Sequence, residues 1–156
     1  MKTIIVYATK YGAAGEIAQR IAKKIEGAVI HDLKQGSVPD LAAFDCVIIG
    51  TSVYAGTIRK EAKVFVSQNA DILPQKKLGL FISGMGGSGE KACFEKNFPA
   101  NVLQAAKAAN FLGGIFDPIK ANFMERFIMK IVTKQSGYLS NISDSKIERF
   151  VEILKT

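Results

Sequence analysis

Thr3–Gly27 reads TIIVYATKYGAAGEIAQRIAKKIEG, and its two halves follow different periods. Thr3–Ala8 is a short apolar, β-branched run bounded by turn residues, the pattern of a buried strand. From Ile17 onward, Ile17, Ala18, Ile21, Ala22 and Ile25 recur at helical spacing until Gly27 stops them. The stretch therefore predicts a strand, a loop at Thr9–Ala14 and a helix, with the loop running directly into the helix N-terminus.

The same alternation continues along the chain. AVIHDL (residues 28–33) ends in the Gly and Pro of KQGSVPD, and FDCVIIG (residues 44–50) leads through the loop TSVYAGTIRK into EAKVFVSQNA, where Ala62, Phe65 and Val66 share one helical face. KKLGLFISG is followed by helical EKACFEKNF and NVLQAAKAA, and ANFLGGIFD (residues 109–117) supplies a fifth strand. Continuous apolar strands separated by helices indicate a parallel sheet covered on both faces, since only strands buried on both sides dispense with polar alternation. The fold class is α/β. Five strands in about 120 residues suit an open doubly wound sheet, because a closed eight-fold barrel needs about 250 residues.

With 156 residues the chain has the length of one domain, and no internal repeat or linker divides it. An extra basic segment at about residues 118–142 is longer than most connections. In it Phe123, Phe127 and Ile131 step by four, as do Arg126, Lys130 and Lys134. The last helix is marked by Ser145 and Glu148 as a capping-box pair and by Ile147, Phe150, Val151 and Leu154 as its buried face.

Composition bounds the function. Hydrophobic residues at 48% exclude a disordered chain, and no apolar run approaches the roughly 20 residues of a bilayer span, so a cytoplasmic location is expected. Cys46 and Cys93 form neither a disulfide framework nor a metal-ligand spacing and read as ordinary thiols. The formal charge of +7 favours anions: a phosphorylated cofactor, an anionic membrane or an acidic partner. Nucleic acid is not expected, because no helix-turn-helix pattern or aromatic-interleaved basic face is present. The single histidine, His31, falls on the second strand and reads as a sheet-edge residue.

Two loops have the glycine content to wrap a phosphate. Thr9–Ala14 follows the first strand, where open α/β sheets bind ligands, and offers free N–H groups, a helix dipole, the Thr9 hydroxyl and close approach at Gly12. It matches neither a P-loop nor Gly-x-Gly-x-x-Gly. In SGMGGSGE, Gly84, Gly86 and Gly89 do satisfy the dinucleotide fingerprint, but they follow the fourth strand, and no acidic residue stands about 20 residues on to hold a ribose.

At these motifs the chain resembles the flavodoxin family. IVYATKYGAAGEIAQRIAKKI is similar to the opening of a flavodoxin, and IIGTSVYAGTIRKEAKVFV to its segment after the third strand. The tail, MERFIMKIVTK with ISDSKIERFVEIL, resembles the branch that contains menaquinone-dependent protoporphyrinogen dehydrogenase. The resemblance implies a flavodoxin-like fold and flavin mononucleotide (FMN) as cofactor. Thr9, Lys10, Tyr11, Gly12, Ala13 and Ala14 would then wrap the phosphate. Thr51, Ser52, Val53, Tyr54, Ala55 and Gly56 would flank the ring, with Tyr54 as a wall and Gly56 easing rotation of a carbonyl toward flavin N5. Ser83, Gly84, Met85, Gly86 and Gly87 would cover its pyrimidine side. Tyr11 and Ala14 stand where the family usually places hydroxyl residues, which implies weaker FMN retention. Because Thr51–Lys60 lacks carboxylates, the reduced-flavin couple is expected to be less negative than in an acidic flavodoxin.

The implied function is electron transfer by FMN with a redox partner protein or quinone, the flavin carrying the chemistry without a catalytic side chain. Two alternatives stand beside it: an FMN-dependent dehydrogenase of protoporphyrinogen or a related substrate with quinone as acceptor, and a flavin-free interaction module. Arg126, Lys130 and Lys134 would face an anionic membrane or carboxylated tetrapyrrole, or else line a solvated helix face.

Overall fold

The computed structural model describes residues 1–84, 89–116 and 139–156. Five parallel strands form the sheet in the order β2-β1-β3-β5-β6: β1 (Thr3–Ala8), β2 (Val29–Asp32), β3 (Cys46–Tyr54), β5 (Lys77–Ser83) and β6 (Ala106–Phe111). A short strand β4 (Thr57–Ile58) returns antiparallel against the end of β3. The strands β7 (Ile115–Phe116) and β8 (Leu139–Ser140) form a separate antiparallel pair. Doubly wound topology follows from where the helices lie. Helices α1 (Ala13–Ala22) and α5 (Asp144–Lys155) cover one face, and α2 (Lys60–Gln68), α3 (Glu90–Asn97) and α4 (Ala100–Ala105) cover the other.

Strand alternation divides the core between these layers. Ile4, Val6, Val47, Ile49, Leu78, Leu80 and Ile82 face α2–α4, where Ala62, Phe65, Val66, Phe94 and Val102 meet them. Ile5, Cys46, Ile48 and Phe81 face the other way, against Ile17, Ala18 and Ile21 of α1 and Ile147, Phe150, Val151 and Leu154 of α5. Gly50 makes room in this second layer, since a Cβ there would lie 1.9 Å from Phe81 Cζ. Two ion pairs tie α1 and the turn that follows it to α5 at the surface: Arg20 with Asp144 at 3.1 Å and Lys24 with Glu148 at 3.0 Å.

Four readings of the sequence need correction. The fifth strand begins at Ala106 rather than Ala109, so the alanine-rich KAA, a good helix former in isolation, is drawn into the sheet by pairing with β5. The predicted loop after β3 is instead the end of that strand plus a hairpin. Helix α1 ends at Ala22, although Ile25 is still buried in the following turns. The last helix is capped by Ser143, whose Oγ accepts from Lys146 N–H at 3.3 Å; Ser145 only contacts Ser143 Oγ, and Glu148 pairs with Lys24. Of the basic segment, Arg126, Lys130 and Lys134 lie outside the described residues, as do Met85, Gly86 and Gly87.

Candidate functional site

The connection from β1 enters α1 on one face of the sheet, while the connection from the adjacent β3 enters α2 on the other. A crevice opens between such diverging connections at the carboxyl rim. Thr9–Gly12 forms its first wall. Gly12 caps α1 with φ +96°, a left-handed conformation natural to glycine. Its N–H donates to Thr9 Oγ1 at 2.9 Å, which leaves the hydroxyl hydrogen of Thr9 to donate elsewhere. The first helical bond is Glu16 N–H to Gly12 O at 3.0 Å, so helix geometry leaves the N–H groups of Ala13, Ala14 and Gly15 without an intrahelical acceptor. They and the helix dipole favour an anion at this end. Ala14 is fully buried in the α1–α5 core layer, so the hydroxyl expected there is replaced by a packing contact.

The second wall is the end of β3. Its adjacent hydroxyl residues hold two other segments: Ser52 Oγ accepts from Lys10 N–H at 3.1 Å, and Thr51 Oγ1 accepts from Arg59 N–H at 3.2 Å. Ala55 (φ +50°) and Gly56 (φ +76°) make a two-residue hairpin turn, with Tyr54 opposite Thr57 and Val53 opposite Ile58. Positive φ at both central residues matches the twist of a tight hairpin. Asn97 fastens this turn to α3. Its Oδ1 accepts from Ile58 N–H at 3.2 Å, and its Nδ2 donates to Gly56 O at 2.9 Å and Cys93 O at 2.7 Å. The Gly56 carbonyl is thus held by a side chain.

The third wall is the end of β5. Ser83 is 1% exposed and its Oγ has no hydrogen-bond partner; it is paired in register with Ser52. At Gly84 a Cβ would lie 2.8 Å from Val53 Cγ1, so the β3 and β5 ends close tightly on each other.

Cations and aromatic rings fill the junction between the first two walls. Lys10 Nζ lies 4.4 Å from the centroid of the Tyr54 ring and 5.3 Å from that of Tyr11, while Tyr54 remains 41% exposed. Burial, then the like charge of Arg59, lowers the Lys10 pKa. Tyr11 OH and Arg59 Nε are buried without hydrogen-bond partners. Lys96 Nζ lies 3.5 Å from the position a Cβ would take at Gly56. His31 sits on the outer strand β2, paired in register with Val6 of β1. Among the described residues no cluster suits a metal ion, and no helix is long and apolar enough to cross a membrane.

The profile of a protein family described as "Flavodoxin domain" matches residues 4–143. The chain belongs to this flavodoxin domain family. Among solved structures, this flavodoxin-domain protein is similar to a short-chain flavodoxin associated with a non-canonical PDU bacterial microcompartment. That match has 18% identity and a TM-score of 0.63, covering 99% of this chain and 95% of that one. It is also similar to the flavodoxin of Streptococcus pneumonia TIGR4, with 18% identity, a TM-score of 0.62, and 99% and 96% of the two chains covered. A flavoprotein of Lactobacillus acidophilus NCFM, solved in complex with FMN, is 16% identical, with a TM-score of 0.51 over 72% of this chain and 91% of that one. No curated protein matches the chain. At these identities the structures establish the flavodoxin-like fold.

Thr9–Ala14, Thr51–Gly56 and Ser83–Gly84 are thus brought to one rim of this flavodoxin-domain protein. Sequence reading missed Arg59 and Asn97. Arg59 lies directly after the hairpin and carries a local signal, a cation next to the ring-flanking segment. Asn97 carries none, because only folding brings it to Gly56, 41 residues away in sequence.

Proposed function

We propose that this protein binds FMN at the β1–β3–β5 rim and serves as a one-domain electron carrier. The observation that carries the reading is the left-handed Gly12 turn, which presents the N–H groups of Ala13, Ala14 and Gly15 at the topological switch between β1 and β3. The rim also fits the rest of the cofactor. Thr9 keeps a hydroxyl hydrogen for a phosphate, and Tyr54 supplies an exposed ring beside the turn.

In this reading Thr9, Lys10, Tyr11, Gly12, Ala13 and Ala14 hold the phosphate, chiefly through backbone N–H groups. Thr51, Ser52, Val53, Tyr54, Ala55 and Gly56 flank the ring, and Ser83 and Gly84 with Met85, Gly86 and Gly87 cover its pyrimidine edge. When bound, FMN supplies one- and two-electron chemistry, and the protein sets its position, potential and exposure. The fused hairpin and α3, clamped by Asn97, keep the ring-flanking turn in one place. Lys10, Arg59 and Lys96 place positive charge beside it and so favour added electrons.

The finer reading is quinone-linked dehydrogenation of a tetrapyrrole. It rests on the resemblance of MERFIMKIVTK and ISDSKIERFVEIL to that branch and on the basic segment at about residues 118–142, where Arg126, Lys130 and Lys134 would face a carboxylated substrate or an anionic membrane. Reconstituted protein should oxidise protoporphyrinogen with menaquinone, and replacing those three charges should abolish the reaction. A carrier would show no such turnover and would instead pass electrons to a partner protein.

A further inference from the structure

Strand β6 is the outer strand at one end of the sheet, and a cleft of about 480 Å³ lies beside it. Ala109 of β6, Phe94 of α3 and Leu103 of α4 give the cleft its apolar lining, and Glu90, Lys91 and Glu95 of α3 complete it. Phe94 is held in place there. It stacks on Phe98 and meets Phe111 edge-on, in both cases with ring centroids 5.8 Å apart. The backbone next to the cleft is paired on one side only. Leu112 N–H donates to Ile82 O at 3.1 Å, and alternate residues of a parallel strand bond to the same neighbour. Asn110 and Leu112 therefore turn toward β5, whereas Ala109 and Phe111 turn their N–H and C=O groups to the outer edge. Among the described residues, nothing bonds to them there.

We propose that the β6 edge and this cleft form a docking groove for an extended segment of a partner protein, which adds as a further strand and places one apolar side chain in the cleft. Three features select this occupant. Unpaired ladder groups are satisfied by extended backbone, and in strand addition alternate side chains enter pockets beside the edge. The space between Phe94, Leu103 and Ala109 takes a large apolar side chain. Lys91 pairs with Glu95 at 3.9 Å, while Glu90 has no ion pair among the described residues, so a Lys or Arg next to the apolar residue is favoured.

A second copy of this chain fits poorly. Its own β6 offers only Ala109 and Phe111 toward the cleft, and Phe111 is already packed in its core at 8% exposure. Its other outer strand, β2, would pair head to tail and leave a further free edge. Such an open row is opposed by a formal charge of +7 on every chain. A docked partner would lie against α3, whose Asn97 holds the Gly56 turn, but the groove itself does not depend on FMN.

The test uses the full chain, with and without FMN, and a short fluorescein-labelled peptide of threonine and valine with a central Lys-Phe-Arg. Fluorescence anisotropy reads binding, and hydrogen exchange reads the Ala109 amide. Saturable binding that protects the Ala109 amide is expected, with or without FMN, so failure of the FMN reading leaves this result standing. N-methylation of the peptide backbone, or serine in place of its phenylalanine, should weaken binding by about tenfold. Ala109→Pro removes an outward N–H and none of the bonds to β5, and it should abolish binding. Glu90→Lys should weaken it severalfold; this residue is exposed, which keeps the test decisive should Ala109→Pro fail to fold. No saturable binding, or binding indifferent to N-methylation and to both variants, overturns the proposal. It is equally overturned by a dimer that excludes the peptide, which would assign the groove to a second copy. An Ala109 amide already protected in the free monomer would assign the edge to this chain's own residues and also overturn it.

Discussion

The backbone N–H of Lys10 donates to Ser52 Oγ at 3.1 Å, so the loop that would grip a phosphate is fastened to the strand end that would flank a flavin ring. Ser52→Ala removes this tie. The loss of one neutral hydrogen bond costs about 0.5–1.5 kcal/mol, which predicts FMN affinity reduced by up to about tenfold. Fluorescence titration of flavin-free protein measures it. Unchanged affinity would mean that the loop is ordered without the tie.

Gly50 and Phe81 share one volume in the α1–α5 layer. A methyl at Gly50 would stand 1.9 Å from Phe81 Cζ in a fully buried strand pair. Gly50→Ala is expected to destabilise the fold by about 1–3 kcal/mol or more through overpacking. Urea denaturation tests this, and a second change, Phe81→Leu, should recover part of the loss. A single variant as stable as wild type would contradict the packing described.

Much of the fold was legible because its strands are apolar on both faces and its helices repeat at their own period. Ala106–Ala109 misled because alanine suits either state, and only pairing with β5 selects the strand. The cap of α5 misled for a similar reason. Ser143 and Ser145 both precede the apolar repeat, and the backbone alone decides which hydroxyl reaches an N–H. At the site, glycines and small residues marked the three walls. What joins those walls, Asn97 to Gly56 and Thr51 to Arg59, depends on contacts that no local pattern encodes.

The two serines give a direct comparison. Ser143→Ala should cost about 1 kcal/mol, since its Oγ accepts the Lys146 N–H at the helix start. Ser145→Ala should cost less. Thermal melts of the two variants decide the matter, and the reverse order would restore the Ser145 cap.

Positive charge beside the Gly56 turn should raise the flavin potential. One screened charge is worth about 1 kcal/mol or less, and 1 kcal/mol corresponds to about 40 mV for one electron. Lys96→Glu is therefore expected to lower the reduced-flavin couple by an amount on the order of tens of millivolts. A spectroscopic redox titration with the two proteins side by side reads the shift. No change would place Lys96 too far from the flavin to act.

Burial raises the pKa of both thiols, with Cys46 fully buried and Cys93 half-buried. A raised pKa means less thiolate at neutral pH, and the thiolate is the reactive form. Iodoacetamide at pH 7 should modify Cys93 slowly and Cys46 only on unfolding, with the Cys93 rate rising through the alkaline range. Rapid modification of Cys93 at neutral pH would contradict the assigned environment.

The most direct test of the account is a calorimetric titration of flavin-free protein with FMN at low ionic strength. Saturable uptake of one FMN per chain, stronger than uptake of riboflavin, is the predicted result. Absence of any heat or fluorescence change with FMN would contradict it, and the rim of β1, β3 and β5 would then have to serve something other than a flavin.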